Sequence, residues 1–304
     1  MNAVSRVVIL GAGALGAFYA SRFVAGPGFN VAIAATGSRA EALRRDGLVV
    51  NARHFNVAVI DPLPGSAPAD LVIVALKDYQ LAGALPQLRP LVGGDTIVLS
   101  VMNGLDSETE ISAGCANGTI LYCVAVGIDA VRQEGAVTVA NAGRLIFGAA
   151  DNHHPGPAVL RVQEALDRAG LEWQTPVDML RMLWWKFMVN VGINQASAVL
   201  RAPYGVFQQS ADARAVVTAL MREVVSLAQV AGINLDEGDL AAWDPVLNAL
   251  SPAGKTSMLQ DMEAGRRTEV EIFAGKVVAL GEQYQVPTPA NRMMLHLIRT
   301  MENC

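Results

Sequence analysis

Three polar residues recur at intervals of four on an otherwise apolar segment: Lys186, Asn190 and Asn194. In an α-helix this spacing places them on one narrow face, which drifts by about 40° per step. The rest of the segment, from Trp184 to Ile193, is as apolar as a core helix, which indicates that the polar face meets a site. An ammonium group held there can stabilise negative charge and donate a proton. The other interpretation is a partly exposed helix whose lysine reaches solvent and whose asparagines cap a neighbouring helix.

A glycine-rich motif stands near the start of the chain: Gly11-Ala12-Gly13-Ala14-Leu15-Gly16. It lies between a predicted strand, residues 6–10, and a predicted helix, residues 17–25. In this context Gly11 allows a tight turn, Gly13 lets the backbone approach a pyrophosphate and Gly16 allows close helix packing. The motif therefore predicts dinucleotide binding. The alternative is a tight turn in a doubly wound fold that binds no nucleotide.

The residues that follow the second predicted strand, residues 30–35, bear on the choice of cofactor. A dinucleotide fold selective for NAD(H) carries an acidic residue roughly 20 residues beyond the glycines. Here the chain has Ser38 and Arg39 instead, a hydroxyl and a cation that can accommodate a 2′-phosphate. NADP(H) is favoured, and NAD(H) is not excluded. Arg39 could equally be a solvated residue at the start of the helix predicted for residues 40–45.

Polar residues also follow two further predicted strands. Lys77 comes directly after residues 70–76, and Asn103 follows residues 96–101. Ligands of open parallel sheets bind beyond the carboxyl ends of the strands, so we expect both side chains beside the cofactor. Ser107 and Glu110 match a capping box, which predicts that they start the next helix and take no part in the chemistry.

The remaining pattern predicts two domains. Residues 119–130 and 136–148 read as antiparallel strands joined by a turn at residues 132–135, and residues 171–175 read as a last strand. From Met179 onward the pattern is helical. The expected fold is an α/β Rossmann-type dinucleotide-binding domain (residues 1–178) followed by an all-α domain (residues 179–304). In the second domain Thr268 and Glu271 match a capping box, which would place Glu269 in the first turn of a helix.

Composition restricts the classes of partner and compartment. The chain has 304 residues, 52% of them hydrophobic and 17% charged, with a formal net charge of −5 and no lysine or arginine cluster, which argues against a nucleic-acid partner. No apolar run reaches the roughly 20 residues of a membrane span, and no secretion signal is visible. The three cysteines, Cys115, Cys123 and Cys304, favour a reducing cytoplasm. His153 and His154 have no third ligand at a familiar spacing, so we expect no metal site.

Taken together, the motifs resemble those of the ketopantoate reductase family, in the right order and over nearly the whole chain. The more specific ones lie in the second half. The motifs are the glycine-rich turn, Lys77, Met102-Asn103-Gly104-Leu105, Trp185-Lys186-x-x-x-Asn190-x-x-x-Asn194, and Ser257-Met258-Leu259-Gln260-Asp261 followed by Gly265-Arg266-x-Thr268-Glu269.

The resemblance implies an activity, a fold and a set of roles. The activity is NADPH-dependent reduction of 2-dehydropantoate to pantoate, a step of pantothenate biosynthesis, or of a closely related branched 2-oxo acid. The fold is a Rossmann domain with a helical domain like that of 6-phosphogluconate dehydrogenase, the active site between them, and a homodimer is a candidate assembly. By position, Lys186 is the general acid, and Glu269 binds the reacting hydroxyl and supports that lysine. The residues that hold substrate or the nicotinamide ribose are Asn103, Asn190, Asn194 and Ser257.

The sequence departs from the family pattern at two positions and leaves two other functions open. Thr36 stands where the family often has an arginine for the 2′-phosphate, and Asp106 stands where a glycine is common. One alternative is a β-hydroxyacid or 6-phosphogluconate-type dehydrogenase, which has no counterpart of the Ser257 to Glu269 motif. The other is a redox-sensing dinucleotide-binding protein without catalysis, which has no reason to retain a proton donor such as Lys186.

Overall fold

A computed structural model describes residues 3–133 and 135–303, which form two compact units that divide after Met179. Cys304, named above, lies outside the described residues. The strands of the first unit are β1 (Arg6–Leu10), β2 (Asn30–Ala34), β3 (Leu48–Val50), β4 (Arg53–Phe55), β5 (Ala58–Ile60), β6 (Leu71–Val74), β7 (Ile97–Ser100), β8 (Thr119–Gln133), β9 (Ala136–Gly148) and β10 (Trp173–Gln174). Its helices are α1 (Ala14–Ala25), α2 (Gly37–Asp46), α3 (Asp78–Leu88), α4 (Ser107–Gly114) and α5 (Pro157–Arg168).

The middle of the sheet is parallel and buried. The strand order is β4-β3-β9-β8-β7-β6-β1-β2-β5, and β10 pairs with β9. Strands β1, β6 and β7 consist almost entirely of Val, Ile and Leu, as expected for strands covered on both faces. Leu10 pairs with Val74, and Val74 pairs with Ser100, so these three strands end at the same level. The glycine turn, Lys77 and Asn103 therefore all follow one edge of the sheet, as the sequence predicted.

The hairpin of β8 and β9 is longer than the sequence predicted. Arg132 and Gln133, which we assigned to the turn, continue β8: Arg132 pairs with Val137, and Gln133 pairs with Ala136. The third residue of the predicted turn, Glu134, lies outside the described residues. These residues favour a turn in isolation, but here they extend the strand because pairing with β9 provides hydrogen-bond partners for their backbone N–H and C=O groups.

The second unit is helical, and the fold class predicted from the sequence is confirmed. Its helices are α6 (Met179–Leu200), α7 (Tyr204–Gln209), α8 (Ala211–Val230), α9 (Glu237–Ala249), α10 (Ser257–Glu263), α11 (Ala274–Tyr284) and α12 (Pro289–Glu302). No helix formed by residues 3–133 or 135–303 is long and apolar enough to cross a membrane.

A buried network fixes α6 against two other helices of its unit. Gln195 Nε2 on α6 donates to Asn291 Oδ1 on α12 at 3.0 Å, and Asn291 Nδ2 donates to Glu223 Oε2 on α8 at 2.7 Å. Glu223 also accepts the backbone N–H groups of Ala290 and Asn291, so it caps the start of α12. Because Gln195 and Asn291 are fully buried, this network fixes the rotation of α6 about its axis and hence the direction of its polar face.

Neither predicted capping box forms. Ser107 is the first residue inside α4, and its buried hydroxyl lies 2.7 Å from Ser100 Oγ. Thr268 and Glu271 do not start a long helix, because a short 3-10 turn, Val270–Ile272, precedes α11 and Glu271 pairs with Arg299. Glu269 therefore does not lie in the first turn of a long helix, and the dipole of such a helix does not explain it.

Candidate active site

Two glycines of the glycine-rich turn are required by the protein itself. Gly11 has φ +100°, and a Cβ there would lie 2.5 Å from the carbonyl oxygen of Ala75. A Cβ on Gly16 would lie 1.9 Å from the carbonyl oxygen of Gly11. Strand β1 can therefore turn into α1 beside β6 only when both positions are glycine.

Gly13 is different, because neither its backbone angle nor a contact with the described residues requires a glycine there. Its φ of −71° is open to any residue, and no heavy atom of the described residues lies within 4 Å of an ideal Cβ at this position. Gly13 precedes α1, whose first backbone N–H groups, including those of Ala14 and Leu15, have no partner within the helix. Open space at the N-terminus of a helix is where a dinucleotide pyrophosphate binds, so the turn fits such a cofactor.

Two guanidinium groups converge on the glycine-rich turn. Arg39 Nη2 donates to the carbonyl oxygen of Ala12 at 2.6 Å, and Arg132 Nη1 donates to the same oxygen. Arg39 lies in the first turn of α2 beside the exposed Ser38, and burial lowers the pKa of its guanidinium. Arg39 is thus not a solvated helix-start residue. The sequence pattern did not indicate Arg132, because the residue was assigned to a turn.

Lys77 and Asn103 occupy the loops that follow β6 and β7. The backbone N–H of Lys77 donates to Gln80 Oε1 at 3.0 Å, so Lys77 stands at the start of α3. The loop that carries Asn103 is closed at its base by the contact between Ser100 and Ser107, whose hydroxyl also donates to Glu108 at 3.0 Å. These contacts hold the Asn103 loop at the carboxyl end of β7.

The polar face of α6 is buried at its two asparagines and partly buried at its lysine. Asn190 and Asn194 are 5% and 6% exposed, and Lys186 is partly buried. The residues that alternate with them, such as Phe187 and Val191, are fully buried core. The buried asparagines are expected of a polar face that meets a site, whereas the half-buried lysine fits either interpretation of this helix.

The pKa of Lys186 is shifted well away from the ordinary value for lysine. Loss of hydration on burial lowers the pKa of its ammonium group from 10.5 to about 8. A general acid works best when its pKa is close to the working pH, because it is then both protonated and able to give up the proton. Near neutral pH the Lys186 side chain is mostly protonated and yet easily deprotonated.

Ser257 and Glu269 lie at the two ends of a segment that is held together by contacts between Asp261 and Arg266. Ser257 is the exposed first residue of α10, and Glu269 is 7% exposed and directly precedes the 3-10 turn. Between them Arg266 Nε lies 2.9 Å from the buried Asp261 carboxylate, and the backbone N–H of Arg266 donates to the Asp261 carbonyl at 2.8 Å. This double contact holds the connection that leads from α10 to Glu269.

Comparison with known proteins shows the family of this chain. The ketopantoate reductase PanE/ApbA family model matches residues 7–152, and the model of the family's C-terminal domain matches residues 178–302. The chain belongs to the ketopantoate reductase family. Members of this family are dinucleotide-dependent oxidoreductases that act on a CH–OH group, so the chain is an enzyme of that class and its substrate is a small molecule. The non-catalytic redox sensor considered above is thereby set aside.

Individual relatives agree with this assignment over the full length. A 2-dehydropantoate 2-reductase of Archaeoglobus fulgidus is 29% identical, covering 99% of each chain. The crystal structure of 2-dehydropantoate 2-reductase from Geobacter metallireducens GS-15 is 27% identical with a TM-score of 0.85, covering 97% of this chain and 99% of that one. D-mandelate dehydrogenase, in a ternary structure with NADH and anilino(oxo)acetate, shares the fold with a TM-score of 0.88 at 21% identity, covering 98% of each chain.

Two substitutions test whether this ketopantoate reductase family member needs Gly16 for folding and Gly13 for cofactor binding. We expect Gly13→Ala to change the free energy of unfolding by no more than about 1 kcal/mol, because the new methyl group meets no protein atom. Cofactor affinity should fall at least about tenfold, because the methyl group fills the space left for the pyrophosphate. Thermal unfolding and fluorescence titration with NADPH measure the two effects.

The matched variant is Gly16→Ala, which should be strongly destabilised or fail to fold because its Cβ would overlap a backbone oxygen. Undiminished cofactor affinity in Gly13→Ala would mean that the open space at this turn is not where the pyrophosphate binds.

Proposed function

We propose that the protein reduces 2-dehydropantoate, or a closely related branched 2-oxo acid, to the 2-hydroxy acid with NADPH, and that Lys186 is the general acid. The observation that carries this proposal is the lysine with a pKa of about 8 on the same helix face as two buried asparagines. Family membership supports the reaction class, and the ionisation of Lys186 supports its role.

The first unit supplies the groups for the cofactor. When bound, NADPH supplies the hydride that the reduction needs. Gly13 and the N–H groups of Ala14 and Leu15 bind the pyrophosphate, as their place at the start of α1 supports. Ser38 and Arg39 bind the 2′-phosphate, which favours NADPH over NADH. Lys77 and Asn103, which follow the ends of β6 and β7, face the cofactor as well.

The second unit supplies the proton. As a hydride adds to C2 of the 2-oxo acid, negative charge grows on the carbonyl oxygen. The Lys186 ammonium stabilises that charge and then transfers its proton to the oxygen, which yields the neutral hydroxyl group. The lysine is left neutral, a state that its dehydrated surroundings favour, and takes up a proton from solvent before the next turnover.

The other polar residues of this unit orient the substrate. Asn190 and Asn194 carry amide donors and acceptors on the Lys186 side of α6, suitable for a carboxylate and a hydroxyl. Ser257 adds a hydroxyl, and Glu269 accepts a hydrogen bond from the hydroxyl of the product. Desolvation alone accounts for the lowered pKa of Lys186. We propose that the Glu269 carboxylate lies near the lysine when substrate is bound and then favours its charged form.

The substrate assignment predicts the outcome of a direct assay. NADPH oxidation should be fastest with ketopantoate in a panel that includes unbranched 2-oxo acids, phenylglyoxylate as the oxo acid corresponding to mandelate, and a 3-oxo acid. Loss of absorbance at the wavelength of reduced nicotinamide measures the rate. Rapid turnover of another acid, with no turnover of ketopantoate, would refute the proposed substrate but leave the reaction class standing. A clear preference for NADH would refute the proposed cofactor.

The catalytic assignment predicts that Lys186 and Glu269 act as one unit. We expect Lys186→Ala to lower kcat by about 10²–10⁴, the usual range for loss of a general acid, with cofactor affinity little changed. Glu269→Ala should lower kcat and raise KM. The double variant should lose much less than the product of the two single effects, because each change disables the same proton transfer.

A control for this cycle is the exposed ion pair of Arg222 and Glu237 in the same unit, 2.8 Å apart. Alanine at either position should leave kcat and KM unchanged, because solvated pairs of this kind contribute little. If the effects of Lys186→Ala and Glu269→Ala multiply strictly, Glu269 does not act through Lys186. Near-normal turnover by Lys186→Ala would remove the lysine from the chemistry.

A further inference from the structure

Arg39 and Arg132 reach the Ala12 carbonyl oxygen from two distant parts of the first unit. Arg39 comes from the start of α2, and Arg132 comes from the end of β8, 120 residues beyond Ala12. Both side chains are only partly buried. Since both donor nitrogens lie within hydrogen-bonding distance of one oxygen, the two positive charges are held within a few ångströms of each other.

Among the described residues, the acceptor shared by the two guanidinium groups is a neutral carbonyl oxygen. A backbone carbonyl carries only a partial negative charge, and two guanidinium groups near it repel each other. The first turn of α2 reads Gly37-Ser38-Arg39-Ala40 and offers no carboxylate to offset them. Each guanidinium has five N–H donors in a planar fork, so both retain donors after bonding to Ala12. An anion with several oxygens, such as a phosphate, matches these remaining donors.

The position of the pair in the sheet indicates which phosphate it would bind. Strand β2 lies directly beside β1, with Ala34 paired to Leu10, so the start of α2 lies beside the glycine-rich turn. The open space at Gly13 fits the pyrophosphate. The end of β2 is where a Rossmann fold reads the adenosine ribose, to which the 2′-phosphate of NADP(H) is attached.

We propose that Arg132 is a second residue selective for NADPH, whose guanidinium binds the 2′-phosphate together with that of Arg39. The β8–β9 hairpin, an antiparallel addition to the dinucleotide-binding sheet, thus takes part in cofactor selection. This inference rests on the NADPH-dependent reduction proposed above and adds to it a residue that the sequence motifs did not indicate.

The test compares two cofactors that differ only in the 2′-phosphate. Dissociation constants for NADPH and NADH are measured by fluorescence titration of the wild type, Arg132→Ala, Arg132→Gln and Arg39→Ala. We expect Arg132→Ala to weaken NADPH binding by about 10–100-fold, the range for a lost hydrogen bond to a charged group, and NADH binding by less than about threefold. Adenosine 2′,5′-bisphosphate and 5′-AMP should repeat this difference, since they share the rest of the contact.

Two further variants separate charge from structure. Arg132→Gln can still donate to the Ala12 carbonyl but carries no charge, so it should keep the fold and lose most of the NADPH preference. Arg144→Ala removes an exposed arginine from β9 of the same hairpin and should leave both affinities unchanged. Because the ratio of the two affinities is measured within each variant, partial destabilisation does not obscure the result.

The outcomes distinguish this inference from the proposed function. If the wild type prefers NADPH and Arg132→Ala and Arg132→Gln keep that preference, Arg132 does not bind the 2′-phosphate and the proposed reaction still stands. Equal weakening of both cofactors would mean that Arg132 only supports the shape of the glycine-rich turn. If the wild type shows no preference for NADPH, the cofactor assignment and the role of Arg132 both fail.

Discussion

The constraint on which the second unit depends is the dehydration of one ammonium group. Lys186 projects from a helix whose later turns are buried core, and its pKa is lowered to about 8 because the charged form loses hydration. Each pKa unit of such a shift corresponds to about 1.4 kcal/mol, so the folded protein bears a cost of a few kcal/mol below pH 8, where the group is charged. Functional sites commonly hold groups at such a cost, and the surrounding core must offset it.

Buried hydrogen bonds hold the helix that carries Lys186 in place within the second unit. The network of Gln195, Asn291 and Glu223 joins α6 to α12 and α8 through buried hydrogen bonds. It leaves α6 little freedom to rotate and expose its polar face. In the first unit the corresponding constraint is steric, because Gly11 and Gly16 are required by backbone contacts while Gly13 leaves space for a ligand. In both units tightly packed elements thus fix the position of a small region that we propose as part of the site.

The sequence predicted features that depend on local pattern and missed those that depend on long-range pairing. The parallel strands, the glycine-rich turn, the hairpin and the helical second half follow from apolar runs, glycine spacing and periodicity, and all are present. The capping boxes failed because a four-residue motif does not reveal that Ser107 bonds to Ser100 or that Glu271 pairs with Arg299. The strands β3, β4 and β5, of three residues each, are too short to show a period. Arg132 was missed because only the register of β8 with β9 carries it to the glycine-rich turn.

The pKa of Lys186 is the quantity whose measurement tests the proposed proton donor most directly. The chain contains only four lysines, Lys77, Lys186, Lys255 and Lys276, so NMR of protein with isotope-labelled lysine resolves few side-chain signals. A Lys186→Arg variant identifies the signal of interest by its disappearance. Because burial removes hydration from the ammonium group, we expect this signal to titrate near pH 8, with the protonated form dominant below it and the neutral form above it. Titration near 10.5, the ordinary value for lysine, would show that the ammonium group remains hydrated, and would contradict the central claim that α6 holds a proton donor adjusted by burial.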